Sequence, residues 1–235
     1  MDTLRTLDRA LDILECFTQE SHRKLGVSDI SRHVQLPKAT AHRILQSLVQ
    51  RGYLSWDDES KTYRLGYRAL LLSTAYLDDQ EYRFIALPYL RRLRDLTAQS
   101  VSLYIEQDGM RLCVERAPSR EPLQQVVSVG TLLPLKGASG KILLAFQHRP
   151  ESDELMPAGE AEQIRHKGYA ISHGERVYGV SSVAAPIRNM TGTVIAAMAL
   201  AGPSFRYTEE ALPSFIRLIT EHAQDISQEL GYMTE

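Results

Sequence analysis

Lys38, Thr40, His42, Arg43, Gln46, Ser47 and Gln50 carry the donors and acceptors that match base edges and phosphate oxygens. Arginine and lysine pair with guanine, glutamine with adenine, and short hydroxyls with either bases or the backbone. Their spacing matters as much as their type. The intervening Ala41, Ile44, Leu45, Leu48 and Val49 recur at steps of three, four and one, which is the buried stripe of an amphipathic helix. The polar set therefore forms one outward face, with basic and small members near the helix start, where a recognition helix comes closest to the bases. Pro37 predicts the first helical position, since its φ is already helical and its missing N–H has no partner there. Gly52 predicts a left-handed stop after Arg51.

Neighbouring elements must hold this face. A shorter helix over 28–35, with Ser28 and Asp29 as N-cap and first turn, buries Ile30 and Val34 and is joined to the second helix by a few residues. A helical hairpin in a bundle has the same pattern, so the pair alone leaves both architectures open. The next dozen residues favour the helix-turn-helix: 53–56 reads as a strand, 57–60 as a polar turn and 61–65 as a return strand, the wing of a winged helix. Lys61 joins the DNA-facing set from that wing. An amphipathic helix over 4–20, with Leu7, Leu11, Leu14 and Phe17 as its stripe, completes a small domain.

Charge is local rather than global. The 235-residue chain carries a net charge of −2, yet residues 21–56 hold six Arg or Lys against Asp29 alone. Phosphate neutralisation needs such a cluster, although an ordinary solvated face can carry one too. Cys16 and Cys113 show no paired spacing and read as reduced, structural thiols. No leader peptide and no apolar run near ~20 residues is evident, so a cytoplasmic protein with no membrane contact is expected.

Downstream, 67–77 reads as an apolar linker helix and 82–97 as an amphipathic helix that kinks or restarts at Pro88. Strands over 101–106 and 111–116 flank Asp108-Gly109, a hairpin-turn signal. A further strand is expected over 123–129, and a short helix over 139–146 after the Gly137–Gly140 loop. Another helix is expected over 160–167, then antiparallel strands over 180–186 and 193–201 with a turn at 189–192. Thr208, with Glu209 and Glu210, reads as the start of a last helix whose stripe is Ile216, Ile219, Ala223, Ile226 and Leu230. The expected fold is α+β in two domains: a winged helix over 1–66, a linker helix over 67–80 and a sensor-like domain with an antiparallel sheet over 81–235.

Four segments resemble the IclR family of bacterial transcription regulators over nearly the whole chain: RTLDRALDILECF, LPKATAHRILQSLVQRGYL, VGTLLPLKGASGKILLAF, and GYAISHGERVYGVSSVAAPI followed by GTVIAAMALAGP. Gly168, Ser172, Glu175, Ser182, Val183, Ala184, Ile187 and Asn189 fall on the family signature, while Arg188 stands where an aromatic, His or Cys is usual. The resemblance implies a GAF-like C-terminal domain that binds a small organic acid effector. It also implies a homo-oligomer, dimer or tetramer, on double-stranded operator DNA, with RNA polymerase as a further partner and no cofactor. Carried over by position, the effector site is Gly137, Ala138, Ser139, Ser172, Ser182, Ala199 and Ala201. Ala199 and Ala201 replace residues that usually bear hydroxyls, so the expected effector is a bulkier or aromatic carboxylate gripped by fewer polar contacts. A structural reading stays open beside this one: Gly137 and Gly140 could simply turn the chain, Ser139 could be an N-cap, and Ser172 and Ser182 could be satisfied core hydroxyls.

An enzyme is the rival class, and the motifs oppose it. In the phosphate-loop-like GASGK run, Leu135 stands at the first glycine position and Ile142 at the Ser or Thr position. Catalytic and metal-binding motifs such as GxSxG and HExxH are missing, and the seven histidines include no HxH or HxxxH pair, with His166 and His173 read as surface residues. A sensor acting through a protein partner rather than DNA is the remaining alternative.

Overall fold

Residues 4–18, 23–125, 127–146 and 156–233 are described in the computed structural model; they form two units, Met1–Asp79 and Gln80–Glu235. His22, His148 and the end of the 4–20 helix lie outside the described residues.

In the first unit, α1 (Arg5–Glu15) tightens into a 3₁₀ turn, Cys16–Thr18. It buries Ile13, Cys16 and Phe17, while Leu7 and Leu11 of the expected stripe are exposed. Two apolar stripes compete on this helix. The one that meets Ile30, Leu45 and Tyr63 is selected. The second helix, α2 (Val27–His33), starts at Gly26 rather than Ser28, which makes no capping bond. α3 (Lys38–Gln50) also starts one residue later than expected: Pro37 is the N-cap, with an extended ψ of 138°, and its carbonyl accepts from the Ala41 N–H at 3.0 Å. Ala41, Leu45 and Leu48 are buried, and Gly52 has the expected positive φ of 75°.

The wing is β1 (Leu54–Asp57) paired antiparallel with β2 (Thr62–Leu65), in the register Leu54↔Leu65 to Asp57↔Thr62. α4 (Tyr67–Asp78) follows and falls within the first unit. It buries no residue there, leaving Tyr67, Leu70, Leu71, Leu72 and Tyr76 exposed.

The second unit is a six-stranded antiparallel sheet between two helical layers. α5 (Glu81–Thr97) runs unbroken through Pro88 and leads into β3 (Ser100–Gln107) and β4 (Met110–Ala117). Asp108 and Gly109 have φ of 51° and 77°, the two positive values of a type I′ hairpin turn. Then come β5 (Leu132–Pro134), α6 (Gly137–Phe146), α7 (Glu160–Lys167), β6 (Ala170–His173), β7 (Val180–Arg188), β8 (Val194–Pro203) and α8 (Leu212–Glu229). Strand order is β5-β4-β3-β8-β7-β6. No helix among the described residues is long and apolar enough to cross a membrane.

β8 shows how one apolar run serves both faces. Ala196, Met198 and Leu200 meet the layer of α5 and α8, whereas Ala197 and Ala199 meet α6. Only methyl groups point toward α6 from these two positions, so this helix can lie close to the sheet.

Several expectations need correction. No strand forms in the described part of 123–129; the Gln125 carbonyl accepts from Ser100 Oγ at 3.0 Å and the Val127 carbonyl from Arg116 at 2.6 Å, and β5 pairs with β4 instead. Strand β6 is not foreseen from sequence, since its four residues are too few to show a period. Thr208 caps a turn, its Oγ accepting from the Ala211 N–H at 3.2 Å, and α8 begins only at Leu212. The turn at 189–192 forms despite Arg188. Its guanidinium bonds the Gly192 carbonyl at 2.7 Å and stacks 4.7 Å from the Phe146 ring, so the cation lies against an aromatic ring.

Both thiols are buried, and desolvation raises them, Cys113 to about 12. A thiol whose folded pKa lies above its unfolded value costs stability only once pH climbs past about 9, where the unfolded chain ionises first. A disulfide reagent at pH 8 is therefore expected to modify neither cysteine until the chain unfolds. A rapid native reaction, counted by absorbance, is the contrary result.

Candidate functional site

The polar residues singled out on α3 lie outside its buried row of Ala41, Leu45 and Leu48, with Arg43, Gln46 and Gln50 on the opposite side and Lys38 in the first turn. Lys38, His42, Arg43, Gln46, Ser47 and Gln50 are exposed and Thr40 is half-buried. Two shallow grooves flank this face. Thr40, Arg43 and Ser47 border one with Thr6 and Arg9 of α1; His42, Gln46 and Gln50 border the other with Trp56 and Tyr63 of the wing. Thr6 and Arg9 escape sequence reasoning; of the stripe assigned to this helix, Phe17 is buried and Leu14 packs on the core, whereas Leu7 and Leu11 are exposed.

The wing is less basic than its sequence suggests. Lys61, expected to face DNA, has a φ of 53° and its ammonium sits 2.7 Å from Asp58. Asp57 accepts the Ser60 and Glu59 N–H groups at 3.2 and 3.1 Å, and these bonds hold its carboxyl below the usual range. With Glu59 beside them, three carboxylates surround the tip, so phosphate contact through Lys61 is opposed by its own neighbours. Arg64, missed from sequence, is held on the wing surface by Ser55 at 3.0 Å.

In the second unit a cavity of about 40 Å³ opens beside the start of α6. Gly137, Ser139, Ser172, Ser182, Ala199 and Ala201 line it. The sheet register explains this grouping: Ser172 pairs with Ser182, and Ser182 with Ala201, so these three form one row across β6, β7 and β8. Ala138 is not part of the lining; it is fully buried in the α6 core, because three successive helical residues cannot all face one side. Gly140 makes α6 possible at this place. A Cβ there would come 2.4 Å from the carbonyl carbon of Leu135.

Sequence reasoning missed the residues that give the cavity its charge. Arg111, at the second position of β4, is 5% exposed. It donates to the Pro134 carbonyl at 3.0 Å and to Ser139 Oγ, and its guanidinium lies 4.9 Å from the centre of the Tyr104 ring. Burial, and then Arg176 nearby, push its pKa down. Ser139 therefore accepts from an arginine rather than capping α6. Arg176, on the loop between β6 and β7, lines the same cavity. No carboxylate among the described residues lies within ion-pair distance of Arg111. The signal was present in the alternation of β4, whose inward positions are Arg111 and Cys113.

A winged helix with a polar outer face on α3, in one chain with a sheet that borders a cationic cavity, is the build of a DNA-binding regulator. The chain belongs to the IclR family of bacterial transcriptional regulators: the IclR helix-turn-helix domain matches residues 6–58, and the IclR C-terminal domain matches 74–162 and 158–228. It is 31% identical to the glycerol operon regulatory protein of Streptomyces coelicolor, over 97% of each chain. Among solved structures it is similar to Pseudomonas aeruginosa HmgR, with a TM-score of 0.79 and 28% identity over 97% of this chain and all (100%) of that one. It also resembles an IclR homolog from Microbacterium hydrocarbonoxydans complexed with 4-hydroxybenzoate, with a TM-score of 0.80 and 26% identity over 96% of this chain and 98% of that one. The protein is thus a DNA-binding transcription regulator.

Proposed function

We propose that operator binding by this regulator is set by a small organic carboxylate held in the second unit by Arg111. The observation that carries this is a buried guanidinium in a cavity that no carboxylate of the described residues lines. Such a charge is costly unless an anion completes it, and a carboxylate matches its fork. Ser172, Ser182 and the start of α6 are placed to take remaining oxygens, since helix starts favour anions. The relative solved with 4-hydroxybenzoate supports the ligand class. A space of about 40 Å³ holds roughly three waters, so an aromatic acid needs Arg176 and Val177 at the rim to move outward. Ala199 and Ala201 leave the grip to arginine rather than to hydroxyls.

The exposed apolar residues of α4, with Leu4 and with Leu7 and Leu11 of α1, are read as contacts of a homodimer. In a dimer the two recognition helices must match half-sites about one helical turn, or a multiple, apart. An effector that prefers one spacing shifts operator affinity by linkage, on the usual scale of ~1–3 kcal/mol. Calorimetry with a panel of small carboxylates, followed by operator retardation with and without the binder, tests the reading. An uncharged amide that binds as well as its acid would count against it.

On α3, Arg43→Ala is expected to weaken the selected operator by about 1–3 kcal/mol and to relax specificity at one base pair, as for a bidentate base contact. Fluorescence anisotropy on operator and random DNA checks this; equal weakening on both would make Arg43 a phosphate contact.

A further inference from the structure

Two arginines line the cavity, and the acid next to the second in sequence is already engaged. Glu175, adjacent to Arg176, lies 2.6 Å from the ammonium of Lys141, which also meets Glu160 at 2.8 Å. Glu175 is therefore committed to α6 rather than to the arginine beside it. The other groups lining the cavity are neutral: Tyr104 and Gln125, three serines, and small apolar residues of β7 and β8. Arg111 is the deep, fixed cation, pinned by the Pro134 carbonyl and Ser139. Arg176 is half-buried at the mouth, on a loop that also brings Val177 into the lining.

From this charge balance we infer that the effector carries two acidic groups: one carboxylate seated on Arg111 and a second, at the opposite end of the molecule, met by Arg176. The inference rests on the carboxylate reading proposed for this cavity and extends it from an acid to a diacid. A monoacid would neutralise one guanidinium and leave the other without an anion across a small space. A diacid neutralises both. Arg176 is then the residue that separates diacids from monoacids, while Arg111 binds either.

Calorimetry on the full-length protein tests this with matched pairs of probes: butanoate against succinate and glutarate, and benzoate against benzene-1,3- and benzene-1,4-dicarboxylate. In at least one pair the diacid is expected to bind about tenfold or more tightly than its monoacid, the scale of one charge-assisted hydrogen-bond pair. Arg176→Gln is expected to remove that advantage, weakening the diacid about tenfold while leaving the monoacid within about threefold. Arg176→Lys, which keeps the charge, is expected to retain most of it. Arg111→Gln weakens both members of the pair, and thermal unfolding midpoints report whether each variant is folded. If a monoacid binds as tightly as every matching diacid, or Arg176→Gln weakens both alike, the diacid assignment falls and the carboxylate reading stands. If no acid binds, both fall.

Discussion

Replacing Arg111 with methionine is expected to remove the effector response while leaving the unliganded protein folded and able to bind its operator. A buried charge weighs differently on folding and on ligand binding. With no carboxylate of the described residues lining its cavity, the guanidinium contributes little to stability by pairing, and its burial already works against the charged form. Methionine is of similar length and adaptable, so it can fill the space beside Tyr104. The loss is confined to the donors that Ser139 and the Pro134 carbonyl now receive. Net stability is expected to stay within about 1–2 kcal/mol of the parent, because the two effects oppose. Ligand binding has no such compensation. An effector carboxylate would lose its charged partner in a site shielded from water, at a cost of about 2–4 kcal/mol, or roughly 30- to 1000-fold in Kd. Urea unfolding and calorimetry on one preparation decide the point. An unchanged Kd, or loss of folding together with binding, would show that Arg111 is structural.

The second large effect belongs to the first unit. Gly66→Ala is expected to destabilise it by about 2–3 kcal/mol, the range for forced overpacking. Gly66 ends the wing and begins α4, and its N–H donates to the Tyr53 carbonyl at 2.7 Å. A Cβ on it would stand 2.3 Å from the carbonyl oxygen of Gly52 and 3.0 Å from that of Leu54. Both obstacles are backbone, so no rotamer change relieves them. Gly52 is itself constrained, with its positive φ and the Tyr67 ring against its Cα. The two glycines thus let the end of α3, the base of the wing and the start of α4 meet at one point. Displacing any of them is expected to tilt the recognition face, so operator affinity falls together with stability. The check is urea unfolding followed by tryptophan fluorescence, since Trp56 lies on β1 and is the chain's single tryptophan. A change in unfolding free energy below about 0.5 kcal/mol, typical of a neutral surface change, would refute the close approach.

The wing tip illustrates where sequence reading stops. Lys61 belongs with the DNA-facing residues by its type and place in the hairpin, yet a left-handed backbone at that position brings it onto Asp58. Charge alone could not reveal this pairing. In the same way α1 offers two apolar stripes, and the helical period is equally satisfied by either. Only contact with Ile30, Leu45 and Tyr63 chooses between them.

The sequence by itself determined the elements whose pattern is long or punctuated. α3 was legible from its stripe and from Gly52, and the β3–β4 hairpin from Asp108-Gly109, because local backbone preference and side-chain period act within a few residues. Family motifs extended this to six of the seven expected cavity residues. The tertiary structure alone decided the seventh and the cavity's charge. Ala138 and Ser139 are neighbours in sequence, but the helix turns one into the core and the other to Arg111. Arg111 lies far along the chain from Ser172 and Arg176, and shares a cavity with them only because β4, β6 and the β6–β7 loop converge beside α6. That convergence depends on the sheet's strand order. No local spacing encodes it, since contacts across a sheet are fixed by the packing of the whole unit.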